Sequence, residues 1–372
     1  MKQKFITKLL LFFAITTLIT SCFVGGAIYI GDAMPLQLVV DMQQNQELLI
    51  FSAKAQTEDM FIYKMLSLAT RQPDVVIIGS SSVLQFRSML LNENPETFYN
   101  AGSTSWTLGE ITCYVQNMES IHVPRVLIIG LDQNWFSEES RIVDCPETNR
   151  ATVDFNYLMR WTKFTWISNL AHPISPSRLI RRRDPITGSA ALGIYAIRSG
   201  GGYRNDGSLH LGNIRNAEFN CKNWTREVSS GSTEYEIETH ISQNLIHLDR
   251  ILYSAQENGV FVIGFSPPVM STLHDYMIET GGWGFMDHTT ESIKDMFPNY
   301  GFEYFDFPNA AWIANDIEMY DCNHSGEQLS TRIYIEFLGD LPDMLGEYSD
   351  LEYLQQVVDN ADNPFDIWSD TP

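Results

Sequence analysis

The stretch PDVVIIGSSSVLQF, residues 73–86, combines a β-branched apolar run with a glycine and three serines. Its four consecutive apolar residues, preceded by proline and followed by Gly79, predict a short strand buried on both faces. Gly79 permits a sharp turn at the carboxyl end of that strand, where open α/β sheets bind their ligands. A serine at this place can act as a nucleophile. The three serines alone, however, are more typical of a polar loop that caps the next helix.

A second polar element, Tyr-Asp-Cys-Asn-His-Ser at residues 320–325, follows about 240 residues later. Asp321 and His324 are three residues apart on a loop or a helix start and can face the same way. The carboxylate can then orient and stabilise the imidazole, and the imidazole can deprotonate a serine. An Asp-x-x-His pair alone also fits a surface turn. Its combination with the upstream strand, glycine and serine is the informative observation.

Together the two elements resemble the SGNH (GDSL-like) hydrolase family, whose first block carries the nucleophile and whose last block is Asp-x-x-His. Gly79-Ser80-Ser81 stands where the family has Gly-Asp-Ser. The resemblance therefore implies Ser81 as the nucleophile, His324 as the general base and Asp321 as its orienting carboxylate, with Ser80 replacing the family's aspartate. The likeness spans roughly residues 73–340 and is diffuse in the middle. It is closer to membrane-anchored branches that modify envelope polymers, of the AlgJ, AlgX and DltD type.

The family's second block resembles the segment that contains Asn100 and Ala101. Matching on this pair places Ser105 where many members have a glycine whose backbone N–H enters the oxyanion hole. Gly102 is the alternative donor, and the segment also fits a plain turn followed by a helix cap.

The third block departs from the family, because Asp132 stands where the hydrolases carry their oxyanion-hole asparagine. A carboxylate beside a developing oxyanion would oppose it unless the carboxyl group is protonated. Two interpretations follow. Either Asn134 has taken over the donor role, or Asp132 has another role, such as holding Ser80 or Ser81.

The rest of the chain alternates predicted strands and helices. Buried-strand runs occur at residues 125–130 and 260–265, and helical periodicity covers 108–120, 236–258 and 326–337. This alternation predicts an α/β fold, a three-layer α/β/α arrangement with a doubly wound parallel sheet of the SGNH or flavodoxin-like kind. The predicted organisation is a signal anchor (1–34), a connecting stalk (35–72), the domain (73–345) with an insertion at about 137–235, and an acidic tail (346–372).

The chain is acidic, with 46 Asp and Glu against 24 Lys and Arg among 372 residues. Residues 1–34 contain three lysines and one aspartate, so the remainder carries about −24. Such a surface repels phosphates, and a nucleic-acid partner is therefore excluded. A cluster at residues 178–183, with four arginines, is the exception. It fits contact with an anionic polymer or lipid headgroup, and more simply a solvated helix end.

The amino terminus has lysines at positions 2, 4 and 8, followed by 22 uncharged residues, 9–30. This length spans a bilayer, and the lysines place the remainder outside the cytoplasm as a single-pass membrane protein. The alternative is cleavage, since Ile-Thr-Ser before Cys22 has the form of a lipoprotein signal. Cleavage would leave the apolar residues 23–30 directly after the lipidated cysteine, which is an unusual linker. The uncleaved anchor is therefore favoured.

Besides Cys22, the chain has Cys113, Cys145, Cys221 and Cys322, which permit two disulfides without requiring them. We predict a free thiol at Cys322, because a bridge there would constrain the segment between Asp321 and His324. No Cys or His spacing suits a metal, so no metal and no cofactor is expected. Asn323 lies in a glycosylation acceptor sequence, and a glycan there would block the predicted base. Either the host lacks this modification, which favours a prokaryote, or the catalytic interpretation is wrong.

The resemblance implies an esterase or O-acyltransferase that acts on an envelope polysaccharide or a related acylated polymer. In the membrane-anchored branches an integral membrane O-acyltransferase supplies the acyl group, which makes such a protein the expected partner. The alternative is a non-catalytic envelope protein that keeps the fold to bind a polymer or scaffold an acylation complex. The residues that differ from the hydrolases, Ser80, Ser105 and Asp132, favour this alternative, and the retained Ser81, Asp321 and His324 oppose it.

Overall fold

A computed structural model describes residues 2–46, 49–52, 58–105, 107–136, 154–185, 188–211, 221, 234–280, 284–307 and 316–368. The described part contains nine strands: β1 (Leu49–Phe51), β2 (Val75–Ile78), β3 (Phe98–Asn100), β4 (Val126–Gly130), β5 (Ala190–Leu192), β6 (Gly202–Tyr203), β7 (Leu209–His210), β8 (Phe261–Ser266) and β9 (Glu303–Asp306).

The described helices comprise α1 (Lys2–Ile30), α2 (Leu36–Asn45), α3 (Glu58–Arg71), α4 (Leu108–Ile121), α5 (Phe155–Ala171), α6 (Pro176–Arg181) and α7 (Ile194–Ser199). They continue with α8 (Glu234–Glu257), α9 (Ser271–Glu279), α10 (Gly284–Asn299), α11 (Glu327–Asp340), α12 (Pro342–Leu345) and α13 (Leu351–Asp359). Each helix and strand predicted above from residues 73 onward is present, within a few residues at its ends.

The chain divides into two compact units. The smaller unit is drawn from residues 1–54, 148–205 and 209–214, and the larger unit from 55–147, 206–208 and 215–372. In the smaller unit β1 pairs in parallel with β5 and antiparallel with β6, and β7 completes the sheet beside β6. Helices α1, α2, α5, α6 and α7 belong to the same unit.

The larger unit contains a five-stranded parallel sheet in the order β3-β2-β4-β8-β9. Numbered within the sheet, this order is 2-1-3-4-5, which is the flavodoxin-like order. Parallel strands are buried on both faces, and this explains why β2 and β4 are continuous apolar runs rather than alternating ones. The predicted α/β class with a parallel sheet is confirmed.

Side chains of alternate residues in the sheet enter two separate cores. Val76 and Ile78 pack with apolar residues of α3, α4, α8 and α10. Val75 and Ile77 face the opposite side and pack with residues of α11 and α13. Helices therefore cover both faces of the sheet, and the larger unit has three layers.

These units divide the chain differently from the predicted domains. Residues 35–54 of the predicted stalk belong to the smaller unit, while α3 packs on the sheet of the larger one. The segments 148–205 and 209–214 of the predicted insertion join the amino-terminal residues in the smaller unit. In the acidic tail, Leu354, Val358 and Trp368 are buried in the core beside α11, so the described tail is part of the larger unit.

Candidate active site

The strand order of the larger unit marks a crevice between β2 and β4. The chain runs from β2 to β3 in one direction across the sheet and from β3 over to β4 in the other, so the order reverses between these strands. Open α/β sheets bind ligands at the carboxyl ends of the strands at such a reversal. Ser81 follows the end of β2, and Asp132 and Asn134 follow the end of β4.

Gly79 packs closely against its neighbours, and the three serines follow it at the carboxyl end of β2. A Cβ atom on Gly79 would lie 2.8 Å from Val83 Cγ1 and 3.2 Å from the Gly130 carbonyl oxygen, so a side chain has no room there. The chain then enters a 3-10 turn over Ser81–Val83. Ser80 caps this turn, because its Oγ accepts a hydrogen bond from the Ser82 N–H at 3.1 Å. Ser81 remains half-buried at the start of the turn.

Ser81, His324 and Asp321 lie together in one hydrogen-bonded array. Ser81 Oγ is 2.7 Å from His324 Nε2, and His324 Nδ1 is 2.7 and 2.8 Å from the two carboxylate oxygens of Asp321. With the ring proton on Nδ1 and donated to Asp321, the lone pair on Nε2 is the acceptor for the serine proton. The side chain of His324 is 26% exposed and that of Asp321 13%, so the array is open on the side of the imidazole.

The surroundings of Asp321 keep its carboxylate ionised. Burial opposes ionisation, but the hydrogen bond and charge of His324 and the backbone N–H groups of Asn323 and His324 outweigh it. They hold the pKa of Asp321 below its ordinary value. Those N–H groups lie 2.9 and 3.0 Å from Asp321 Oδ1. A charged carboxylate at this position stabilises an imidazolium on His324.

The predicted oxyanion donors differ in availability. Within the described residues, the backbone N–H groups of Ser81 and Ser105 donate to no protein acceptor. The Gly102 N–H, in contrast, donates to Asn100 Oδ1 at 2.9 Å. Gly102, the alternative donor in the sequence analysis, thus has its N–H engaged elsewhere. Asn134 is exposed in a 3-10 turn over Gln133–Phe136.

Asp132 binds the serine turn rather than the nucleophile. Ser82 Oγ donates to Asp132 Oδ1 at 2.7 Å, and the hydroxyls of Ser80 and Ser82 are 3.1 Å apart. Burial raises the pKa of Asp132, although the hydroxyls of Ser80 and Ser82 and the charge of His324 act against this rise. The two partners predicted for this carboxylate were Ser80 and Ser81, but its hydrogen bond comes from Ser82, and Ser80 is joined to it through the Ser82 hydroxyl.

Cys322 forms a disulfide with Cys221, 101 residues away in sequence, so the predicted free thiol is wrong. The bridge constrains the Asp321–His324 segment, which lacks regular secondary structure, while His324 keeps its contacts with Ser81 and Asp321. The carbonyl of Cys322 also accepts a hydrogen bond from the Met270 N–H at 2.9 Å. The segment that carries the base is therefore fixed from both sides. Cys22 is a free, exposed cysteine.

The buried side chain of Asn100 organises the site through hydrogen bonds to residues on both sides of it. Its Nδ2 donates to the carbonyls of Val83 and Phe86 at 2.7 and 2.8 Å, and its Oδ1 accepts from Gly102. One buried side chain therefore joins the serine turn to the segment after β3. The resemblance pointed to Asn100 as part of a block, but no local pattern assigns it these partners.

A buried lysine supports the same strand end. Lys64 Nζ donates to the carbonyls of Asn100 at 2.7 Å and Gly207 at 2.5 Å, and the Asn100 N–H donates to the Asp206 carbonyl at 2.8 Å. Burial lowers the pKa of Lys64 to about 7, while the charge of Asp206 acts to raise it. Residues 206–208 are thereby held against the end of β3.

The fold and this arrangement define the chain as a three-layer α/β protein with a Ser–His–Asp array at the carboxyl edge of a parallel sheet. No group of three or more His, Cys, Asp or Glu residues that could hold a metal ion occurs among the described residues. No model of a known protein family matches the chain, and no curated protein sequence matches it significantly.

Proposed function

We propose that this chain is an acyl esterase or O-acyltransferase of the SGNH type, acting outside the cytoplasm on an envelope polysaccharide or related polymer. The hydrogen-bonded array Ser81–His324–Asp321 at the strand-order reversal is the observation that carries the proposal. It supplies a nucleophile, a base within hydrogen-bond reach and a carboxylate that orients the base.

In the proposed reaction Ser81 Oγ attacks the ester carbonyl while its proton passes to His324 Nε2. The tetrahedral oxyanion accepts hydrogen bonds from the free N–H groups of Ser81 and Ser105. Collapse of the tetrahedral intermediate breaks the ester C–O bond and leaves the acyl group on Ser81. His324 returns the proton to the leaving alcohol. An acceptor hydroxyl then attacks the acyl-serine, giving its proton to His324, and Ser81 is released with its proton restored.

The acceptor in the second half-reaction decides between the two activities. Water as acceptor makes the protein an esterase, and a sugar hydroxyl makes it a transferase. For a transferase, an integral membrane O-acyltransferase is the proposed source of the acyl group. An amino-terminal anchor on the chain suits this arrangement, because it would hold both proteins in one membrane.

A non-catalytic polymer-binding protein is the second candidate. Its supporting observation is Asp132, a carboxylate bonded to the serine turn where the hydrolases have a neutral hydrogen-bond donor. Hydrolysis of a chromogenic acetyl ester by the full-length chain in detergent micelles tests the first proposal against the second. Turnover above the buffer rate supports an esterase, and a single stoichiometric burst of the alcohol supports a transferase that lacks its acceptor. The absence of both turnover and burst in a folded preparation supports the binding protein.

Substitutions at Asp132 and Asn134 are expected to have opposite effects on turnover. If Asn134 donates to the oxyanion, Asn134→Ala lowers turnover by about 10²–10³-fold, which corresponds to about 3–4 kcal/mol of transition-state stabilisation. Asp132→Asn keeps an acceptor for Ser82 and removes a charge that opposes the oxyanion, so it should leave or raise turnover. Ester hydrolysis rates of the two purified variants provide the measurement.

Gln133→Ala is the matched control, because this neighbouring side chain donates to the Pro267 carbonyl at 2.8 Å and takes no part in the array. An Asp132→Asn variant as damaged as Asn134→Ala would show that the ionised carboxylate is itself required. If neither substitution changes turnover, the segment that contains Asp132 and Asn134 takes no part in the reaction, and the binding protein is favoured.

Breaking the Cys221–Cys322 bridge is expected to slow turnover, because the bridge holds the segment that carries Asp321 and His324. We expect Cys221→Ser to lower kcat by roughly 10–100-fold, the effect of a small misplacement of a catalytic group. The rates are measured well below the melting temperature, and Cys22→Ser serves as control. Unchanged kcat in folded Cys221→Ser, or alkylation of Cys322 in unreduced wild-type chain, contradicts this prediction.

The chain is also proposed to remain anchored in the membrane. One described helix, over residues 4–30, is long and apolar enough to cross a membrane, and a signal sequence would pass the same test. We expect the mature chain to retain its lysine-flanked amino terminus and protease added to spheroplasts to degrade the larger unit. An amino terminus at Cys22, or protection of that unit, would contradict the anchor.

A further inference from the structure

The exposed face of helix α5 carries four large apolar side chains beside the polar Asn156, Arg160 and Lys163. Phe155, Met159, Ile167 and Leu170 lie on one side of the helix with 74, 40, 55 and 82% of their surface exposed. The opposite side, with Trp161 and Thr165, is buried. The exposed face of a surface helix in water is mostly polar, and several large apolar side chains grouped on such a face indicate an interaction site. We call these four exposed residues the α5 stripe.

Helix α5 packs directly on the carboxyl-terminal part of α1. The Trp166 indole N–H donates to the Phe23 carbonyl at 2.8 Å, and the two rings meet edge to face at 5.3 Å. A Cβ atom on Gly26 would lie 2.7 Å from the Trp166 ring, so the glycine allows this close approach. The α5 stripe therefore extends the apolar surface of α1 within the same compact unit.

The position of this contact along α1 places it at the outer leaflet. A hydrocarbon core of about 30 Å is crossed by about 20 helical residues. Counted outward from Lys8, the core ends near Ile28, and Phe23 lies inside it. Counted from Lys4, the core ends near Val24, and Phe23 lies at its boundary. In both cases Ile167 and Leu170, which line a groove with Ile19, Phe23 and Val24, lie at the level of the hydrocarbon core. Tyr157, whose hydroxyl donates to the Met34 carbonyl, marks the outer end of α5.

A groove of about 640 Å³ runs between the two helices. Its walls are mostly apolar and include Ile19, Phe23 and Val24 from α1 together with Ile167 and Leu170 from α5. The groove is open, shares a wall with the proposed membrane span and has the size of a small-molecule site. An acyl chain is the ligand that matches these walls.

Cationic side chains accompany the apolar ones. Lys163 lines the groove and is exposed between Met159 and Ile167 on the helix, where its long stem can extend its charge to the headgroup level. At the end of α1, Arg182 lies 4.3 Å from the centre of the Tyr29 ring and donates to the Tyr29 carbonyl. Aromatic and basic residues of this kind mark membrane interfaces.

We propose that α5 lies in the outer leaflet beside α1, and that the groove between them binds an acyl chain of a phospholipid whose phosphate contacts Lys163. This surface would hold the smaller unit against the membrane, in addition to the tether supplied by α1. The inference rests on the anchor proposed above and is independent of the esterase chemistry.

Depth-dependent fluorescence quenching tests this placement on the full-length chain. The Cys22→Ser chain carries one additional cysteine, labelled without reductant with an environment-sensitive fluorophore. It is reconstituted in phosphatidylcholine vesicles that contain a lipid with a nitroxide near the headgroup end of its acyl chain. Ile167→Cys is compared with Ile246→Cys on α8, an isoleucine of similar exposure at 52%. Phe12→Cys within α1 reports insertion of the anchor. For this variant the vesicles contain a lipid whose nitroxide lies deep in the acyl chain.

We expect the label at position 167 to lose most of its fluorescence and the label at 246 to retain it. Quenching at position 12 without quenching at 167 would overturn the inference and leave the anchor intact. If neither position 12 nor position 167 is quenched, the anchor itself fails and the inference fails with it. Ester hydrolysis by the same samples is measured separately. A failure of the proposed esterase activity can therefore be told apart from a failure of the anchor or of the placement of α5.

Photo-crosslinking tests the lipid site. A phosphatidylcholine with a diazirine on its acyl chain should crosslink to peptides that contain residues 19–24 and 159–170. Lys163→Glu should lower the yield several-fold because it repels the phosphate, while Lys163→Arg should retain it. Crosslinks absent from both peptides, or a yield insensitive to charge at position 163, would overturn the lipid site. Equal melting temperatures of the variants exclude misfolding as the cause of a lower yield.

Discussion

Ser81→Ala is expected to lower kcat/KM for an activated acetyl ester by roughly 10⁶-fold, the size of effect seen when a triad serine is removed. The Ser81 hydroxyl contacts His324 Nε2 at 2.7 Å, whereas the hydroxyls of Ser80 and Ser82 bond to each other, and that of Ser82 to Asp132. Neither neighbour can replace the missing nucleophile without losing its bonds. Initial rates of ester hydrolysis and labelling by a serine-directed phosphonate measure the effect.

Ser80→Ala and Ser82→Ala are the matched controls, because each removes one hydroxyl from the same turn. Both should retain phosphonate labelling at Ser81, with Ser82→Ala reduced in rate since Asp132 loses its donor. A phosphonate adduct that persists in Ser81→Ala would reject this serine as the nucleophile and with it the proposed array.

Asp321→Asn is expected to lower kcat by about 10⁴-fold, as in other triads that lose their carboxylate. The amide preserves the shape of the side chain. It cannot offset the positive charge that His324 acquires, and it no longer selects the tautomer with the proton on Nδ1. Steady-state rates of the purified variant measure this loss. Asp316→Asn is the control, because Asp316 accepts the Ser271 N–H at 2.7 Å and is bonded to no histidine.

The same substitution should alter the acid stability of the protein. The pKa of Asp321 is held below its ordinary value in the folded state, so its ionised form stabilises the fold above the unfolded pKa of about 4. This contribution is lost as the pH falls through the lower, folded pKa. Urea unfolding of wild type and Asp321→Asn should therefore differ most above about pH 4 and converge in stronger acid. A difference that does not change with pH would contradict this linkage.

Local patterns in the sequence were sufficient for the three central strands of the larger unit and for three of its helices, namely β2, β4, β8, α4, α8 and α11. A four-residue apolar run such as β2 must be buried on both faces, and helical spacing of apolar residues identified α8 and α11. Parallel pairing followed from the alternation of these elements. Ser81, Asp321 and His324 required the resemblance in addition, because nothing in the local pattern joins residues about 240 positions apart.

The partners of the site depend on contacts that have no periodicity. Which cysteine pairs with Cys322, which groups Asn100 binds, and whether the Gly102 N–H is free are all set by packing between distant segments. The same holds for the smaller unit, whose strands come from residues 49–51 and 190–210 and are too short to show a pattern of their own.

Sequence alone therefore determined the α/β class, the parallel sheet and the edge at which the serines lie, since burial of apolar runs and the turn at Gly79 are local properties. Tertiary structure decided that Asp132 holds Ser82, that Cys221 fixes the segment of the base, and that α5 lies against α1. Each of these is a hydrogen bond, a disulfide or a close approach between residues far apart in the chain. Such contacts form only where folding brings the segments together, and so no local pattern encodes them.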